Sequence, residues 1–257
     1  MAEMGASAGQ LALAAAVAVA AAGRGRSNNP QPGDRPLTLE RAVEAAAEAL
    51  ASASPTPGPA ASPLLNGAWA LLYSGRSRRL AAAAAFPASS AAAPSLREAL
   101  QAASDAAYSA FYKYVPVLAG SAVGRARGSS ATNFQVLRPG RVDNVVTTKG
   151  PLPLRLCVSG SIEVVQPPGG VAPSCVAVRF DAFTARLGGL PEAALSLGWL
   201  RPLGYVDTLY LDQEMRVSVG DKGGLFVLRR VAADGAEASA ASAAQAATPA
   251  AAADQRR

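Results

Sequence analysis

The chain of 257 residues contains no histidine. This absence excludes a Ser-His-Asp triad, a Cys-His dyad, a histidine-ligated zinc site and a histidine general base, because each of them needs an imidazole. The sequence also lacks a glycine-rich turn between a strand and a helix, which a nucleotide phosphate site needs. We therefore expect no cofactor, no metal site and no catalytic residues of these classes.

Charge is also scarce, since charged residues make up 16% of the chain, against ~25% in an average soluble domain. The net charge is +6, but the positive residues are scattered, and the densest cluster is Arg76, Arg78 and Arg79. No RNA-binding aromatic motif accompanies them, so we predict no nucleic-acid partner. A mildly basic surface can meet anionic lipid head groups or can simply be solvated.

Large side chains are missing from three alanine-rich segments, and alanine makes up about a quarter of the chain. We predict a disordered leader at 1–36, an insertion at 75–94 and a disordered tail at 233–257 around a folded domain at 37–232. The apolar run at 11–22 is too short for a transmembrane helix. The leader meets the description of an organelle transit peptide only in part, and the alternative is a leader without an address.

Two helices are predicted near the start of the folded domain. Thr38 can cap a helix over Thr38–Ala51, in which Leu39, Val43 and Leu50 recur at helical spacing. A capping box, Ser95-Leu96-Arg97-Glu98, opens a second helix.

The rest of the domain shows strand patterns separated by turn signals. The predicted strands cover 67–74, 133–137, 142–149, 154–166, 176–183, 205–219 and 225–231. In the first of them, alternation places Trp69 and Tyr73 on one face. Because crossover helices are missing after residue 115, the pattern predicts an antiparallel barrel or sandwich, a mainly β fold with N-terminal helices.

Three stretches of sequence carry a family resemblance: PTPGP at 55–59, LLNGAWALLYS at 64–74 and GYVDTLYLDQEMRVSVGDKGGLFVL at 204–228. In this order and spacing, and with the strand pair at 133–146 between them, they resemble the plastid lipid-associated proteins, also called fibrillins. Within the motifs, we expect structural roles for six residues: Gly67, Asp207, Asp212, Arg216, Gly220 and Arg229.

The resemblance implies a lipocalin-like antiparallel β-barrel around an apolar cavity. It also implies a plastid location, at plastoglobules, thylakoids or in the stroma, and a non-catalytic role in binding a prenylquinone, a carotenoid or an acyl lipid. Candidate ligand contacts are the large side chains of the predicted strands: Trp69, Tyr73, Phe134, Val145, Phe180, Tyr210 and Phe226.

The residues themselves predict a contact between the first and last strands. Trp69 lies on the first strand, and Arg229 and Arg230 lie on the last. Because these strands are neighbours in a closed barrel, one arginine can lie over the indole face and close one end of the barrel.

The segment 187–203 holds too many large apolar residues for an ordinary surface loop. It can pack as a lid on the barrel, or it can also enter a lipid interface. The candidate membrane contacts are Leu195, Leu197, Trp199 and Leu200.

Two other functions stay open. Asp207, Asp212 and Glu214 lie in one predicted strand, with Asp212 and Glu214 on one face, and could serve an enzyme acting on an isoprenoid or oxidised lipid. The same acids could instead pair with arginines, and the barrel could serve as a scaffold for a lipid-biosynthetic enzyme. Cys157 and Cys175 lie on neighbouring predicted strands, where a disulfide is possible but free thiols are the expectation in a reducing stroma.

Overall fold

The structure is a computed structural model that describes residues 35–87, 132–148, 151–198 and 203–232. Most of the predicted leader, the predicted helix at Ser95 and the predicted alanine-rich tail lie outside these residues, as do Trp199 and Leu200.

The described residues form two helices and nine strands. Helix α1 covers Arg35–Ser52, which contains the predicted Thr38–Ala51, and helix α2 covers Arg78–Ala83. The strands are β1 Gly67–Arg76, β2 Thr132–Arg138, β3 Arg141–Thr147, β4 Leu154–Val164, β5 Cys175–Leu187, β6 Ala193–Ser196, β7 Leu203–Leu211, β8 Met215–Gly220 and β9 Gly224–Val231.

The strands close into an antiparallel barrel. The sheet order is β4-β3-β2-β1-β9-β8-β7-β5-β6, and β4 also pairs with β5. This last pairing joins eight strands into a ring, while β6 pairs with the far end of β5. The fold confirms the predicted lipocalin-like antiparallel barrel.

Register assigns each strand residue to the inside or the outside of the barrel. Inside, Trp69 packs in a cluster that joins residues of β1, β2, β3, β4, β5, β7 and β9. Outside, Val43, Ala47 and Leu50 of α1 pack on Tyr73, Tyr210, Met215, Val217, Val219, Leu225 and Val227. Burial of these apolar side chains, at about 25 cal/mol per Å², holds α1 against the outer face of the sheet.

The two ends of the barrel differ. At the end where β1 begins, residues 56–66 cross the opening: Thr56 Oγ1 donates to Leu211 O at 2.6 Å and Ala60 N donates to Pro173 O at 3.0 Å. A 3-10 turn at Pro63–Leu65 lies in this segment. We call residues 56–66 the end segment and the opposite end, where β1 finishes and β9 begins, the distal end.

Three predictions of secondary structure are wrong in part. The stretch 205–219 is two strands, because Asp212-Gln213-Glu214 makes a turn between β7 and β8. The stretch 187–203 contains the short strand β6. The insertion predicted at 75–94 includes the end of β1 and helix α2, and Leu80 of that helix is buried in the α1 cluster.

Candidate functional site

Trp69 closes the barrel interior beneath the end segment. Its side chain is completely buried, and its Nε1 donates to Leu65 O at 2.9 Å. The Arg230 guanidinium carbon lies 4.2 Å from the ring centroid. This geometry confirms the predicted arginine over the indole and identifies it as Arg230. Arg229, the other candidate for this contact, points to the outer face and is exposed.

Arg230 fastens the end segment to the barrel by several donors. Its Nη1 donates to Asn66 O at 2.9 Å, its Nη2 donates to Leu64 O, and its Nε donates to Gln213 O at 2.7 Å. Backbone carbonyls thus accept from all three guanidinium nitrogens. These bonds close this end of the barrel with a cation that also covers the indole.

Arg216 lies inside the barrel, on the same inward face of the sheet as Leu228, its partner in β9. It is only 4% exposed, and its guanidinium carbon lies 5.3 Å from the Trp69 centroid. Nη2 donates to Gln135 Oε1, whereas Nε is buried without a hydrogen-bond partner. An interior guanidinium with a free donor is unusual, because buried charges are normally paired.

A chain of hydrogen bonds continues from Arg216 across the interior. Gln135 Nε2 donates to Asn144 Oδ1 at 2.8 Å. Because a guanidinium can only donate, it forces Gln135 to present its carbonyl oxygen to Arg216 and its amide nitrogen to Asn144. Asn144 then accepts with its oxygen, and its own amide nitrogen is the end of the chain. We call these three residues the interior polar cluster.

Within the described parts of the chain, the positive charge of this cluster has no ionic partner. Among the described residues, no carboxylate forms an ion pair with Arg216. Burial, followed by repulsion from Arg230, lowers the pKa of Arg216 to about 9. The side chain is therefore still protonated at pH 7, and the interior carries an uncompensated positive charge.

The interior between the polar cluster and the distal end is mainly apolar. Several inward-facing side chains there are only half-buried, so solvent reaches them: Leu71, Phe183, Leu197, Val206 and Phe226. One hydroxyl pair interrupts this lining, with Thr208 Oγ1 3.4 Å from Ser218 Oγ. The interior thus combines apolar walls with a cationic polar group at one end.

A cavity of about 300 Å³ lies beside the end segment. It is bounded by Ala60, Pro63 and Leu65 on one side. On the other side are the strand residues Leu137, Ile162 and Val176. Its volume is at the lower limit of ordinary ligand sites, which measure ~300–1,000 Å³.

The seven candidate ligand contacts divide between the two faces. Trp69, Phe180 and Phe226 face the interior, as the prediction requires. Tyr73 and Tyr210 lie outside and pack against α1. The predicted common face of Trp69 and Tyr73 is wrong, because a bulge between Leu71 and Tyr73 reverses the alternation.

Phe134 and Val145 are the other two candidate contacts. They are partners in the β2–β3 register and share a face with Ala70, not with Trp69. Both therefore point away from the interior. Arg216 and Asn144 are not candidate contacts from the sequence, but their pairing with Leu228 and Gln135 on the neighbouring strands places them inside.

The three candidate catalytic acids do not form a pair. Asp212 lies in the β7–β8 turn, where its Oδ1 accepts from the backbone nitrogens of Glu214 and Met215, each at 2.7 Å. Asp207 is on the outer face, and its Oδ2 accepts from Ala85 N at 2.8 Å. Glu214 is exposed. The predicted placement of Asp212 and Glu214 on one strand face is therefore wrong.

The remaining motif glycines have separate roles. Gly67 has a φ of +130°, and a Cβ on it would lie 2.4 Å from Arg230 Nη1. In the β8–β9 turn the left-handed residue is Gly223, with a φ of +80°. Gly220 is the last residue of β8 and is not among the glycines with a positive φ.

The two cysteines are free and buried. Cys157 pairs with Thr184 in the β4–β5 register, nine residues along β5 from Cys175. This offset separates the two thiols by about 30 Å along the strand, which excludes a disulfide between them. Burial raises the pKa of both thiols, that of Cys175 to about 12.

Exposed leucines gather at the distal end. We call Leu152, Leu187, Leu190 and Leu195 the leucine patch; the exposed fractions of Leu190 and Leu195 are 60% and 57%. Of the candidate membrane contacts, Leu195 is exposed and Leu197 is half-buried against the interior cluster.

Neither a metal site, nor a membrane-spanning helix, nor a similar known protein was found. Within the residues that the structure describes, no group of three acidic or cysteine side chains could hold a metal ion, and no helix is long and apolar enough to cross a membrane. Comparisons of the chain with protein-family models, curated proteins and solved structures found no match.

Proposed function

We propose that this protein binds a prenyl or acyl lipid inside its barrel and does not act on it chemically. The observation that carries the proposal is the closed barrel with half-buried, inward-facing apolar side chains such as Leu71, Phe183 and Phe226. An apolar chain placed against these side chains gains about 25 cal/mol for each Å² it removes from water.

The leucine patch supports contact with a lipid surface as a second part of the proposal. Leu190 and Leu195 expose large apolar side chains at the distal end, beside the interior that would receive the lipid. A patch of this kind is typical of interaction sites. Docking at this end would let a lipid pass between the surface and the barrel without crossing water.

The location belongs to the proposal as well. The sequence resemblance to the plastid lipid-associated proteins favours a plastid protein at plastoglobules or thylakoids, with a prenylquinone, a carotenoid or an acyl lipid as the ligand. The dispersed positions of Asp207, Asp212 and Glu214 favour binding over an acid–base reaction by this set of residues.

Lipid extraction tests the first part. The full chain is incubated with a mixture of phospholipid, galactolipid, plastoquinone and β-carotene, is separated from vesicles, and is extracted with solvent. We expect about one lipid per protein, drawn from a single class. A protein that retains no lipid after separation contradicts the proposal.

Vesicle flotation tests the second part. We expect the L190S/L195S double variant to lose most of its flotation with galactolipid vesicles. The matched control is V171S, because Val171 is equally exposed, at 64%, but lies in the β4–β5 connection at the opposite end of the barrel. Equal flotation of both variants would show that the leucine patch is not the contact.

A further inference from the structure

The interior polar cluster has donors without acceptors. Arg216 Nε is buried and has no partner. At the other end of this series of hydrogen bonds, the side-chain oxygen of Asn144 accepts from Gln135, so the amide nitrogen of Asn144 remains available as a donor. The hydrogen-bond chain therefore ends in N–H donors on both sides.

The charge of the cluster is likewise unbalanced. Arg230, whose charge acts on Arg216, is also a cation, and it donates to backbone carbonyls of the end segment and the β7–β8 turn. A buried cation without a partner is costly, and an anion beside it recovers much of that cost. One negatively charged hydrogen-bond acceptor would therefore complement the cluster.

We propose that the interior polar cluster binds the carboxylate of an amphipathic lipid, such as a long-chain fatty acid. The inference rests on the proposed lipid-binding function and specifies the head group that the barrel binds. A carboxylate suits this position because its two oxygens accept from guanidinium and amide donors at once. The half-buried apolar side chains between the cluster and the distal end would hold the chain.

The register supports this direction of binding. From Arg216 towards the distal end, β8 presents Ser218 and then Gly220 to the interior, and β9 presents Leu228 and then Phe226. Leu228 pairs with Arg216, Ser218 pairs with Phe226, and a Cβ on Gly220 would lie 3.6 Å from the Phe226 ring, so small residues surround this ring on β8. A ligand that enters from the distal end reaches Arg216 with its head group first.

A matched pair of probes tests the head group on the unmodified protein. Binding of cis-parinaric acid and of its methyl ester is measured by fluorescence titration of the full chain at pH 7.5. The two probes have the same chain and differ in the charge of the head group. We expect the acid to bind at least ten-fold more tightly than the ester.

Two variants then identify the residues. R216M should weaken binding of the acid at least ten-fold and change binding of the ester by less than three-fold, because a methionine keeps the bulk without the charge. N144D supplies an internal carboxylate with little change of shape, so it should also abolish the preference for the acid. This second variant tests the site if R216M does not fold. The matched control is R229M, an exposed arginine on the outer face of β9, which should preserve the preference.

The outcomes separate this inference from the proposed function. Equal affinity for acid and ester in the unmodified protein overturns the carboxylate site and leaves lipid binding intact. A preference that survives in both R216M and N144D overturns the assignment to these residues. Failure of both probes to bind contradicts the proposed lipid binding and the carboxylate site with it.

Discussion

A Cβ on Gly67 would lie 2.4 Å from Nη1 of Arg230, the arginine that covers the Trp69 ring. The absence of a side chain at Gly67 therefore makes room for the guanidinium that holds the end segment. Gly67 also has a φ of +130°, a conformation that L-residues rarely adopt. One glycine thus serves both the backbone turn into β1 and the packing of the closed end.

Replacement of Gly67 should therefore be costly. We expect G67A to lower the free energy of unfolding by about 3 kcal/mol, since it combines backbone strain with displacement of Arg230. G140A is the matched control: Gly140 has a φ of +73° but open space around its Cβ position, and its cost should be about 1 kcal/mol. Urea denaturation followed by tryptophan fluorescence measures both. Equal losses would show that Arg230 does not depend on Gly67.

The contact between Trp69 and an arginine of β9 could be predicted from the sequence because it depends only on barrel closure. Once the first and last strands are neighbours, Arg229 and Arg230 are the cations available to Trp69. Which of them faces inward depends on the register, and the register became visible only in the structure.

Helix α1 should contribute to stability without contributing to ligand binding. Leu50 is 2% exposed and packs on the outer face of the barrel, so L50A should lower the free energy of unfolding by about 3 kcal/mol. R41A, at an exposed position of the same helix, should have little effect. Neither variant should change the affinity for an apolar fluorescent probe, measured where both are folded. A large loss of affinity in L50A would place α1 in the binding site.

Cys175 should resist alkylation in the folded protein. Its pKa is raised to about 12 by burial and by Asp207, against an ordinary value of 9.0. At pH 10 the folded protein then holds about 1% thiolate, whereas the unfolded chain holds about 90%. Because the unfolded chain loses this proton first, Cys175 lowers stability as the pH rises from 9 to 12. Iodoacetamide labelling at pH 10 with and without urea measures the difference, and rapid labelling of the native protein would contradict it.

Two local features of the fold differ from the sequence prediction, for different reasons. The bulge that turns Tyr73 outward inserts one residue into β1, and nothing in the alternating pattern of that strand signals it. The turn at Asp212 did carry a signal, since an aspartate that accepts from the backbone two and three residues later is common in turns. Because Asp212 lies within a long stretch that has the pattern of a strand, the stretch is assigned to one strand and the turn is not predicted.

The interior position of Arg216 could not be recognised from its residue type. Arginine is mostly exposed in proteins, and only the pairing of β8 with β9 places Arg216 beside Leu228 and inside the barrel. Gln135 and Asn144 come from a different part of the chain, so the hydrogen-bond chain requires three strands to be in register.

Native mass spectrometry of two neighbouring tryptophan variants is the most direct test of whether a lipid occupies the barrel interior. L71W fills the interior, whereas A70W adds the same side chain one residue earlier, on the outer face of β1. After incubation with an excess of oleic acid, the unmodified protein and A70W should each carry one bound lipid, and L71W should carry none while remaining folded by circular dichroism. An unmodified protein without lipid, or a folded L71W that carries as much lipid as A70W, would contradict the account.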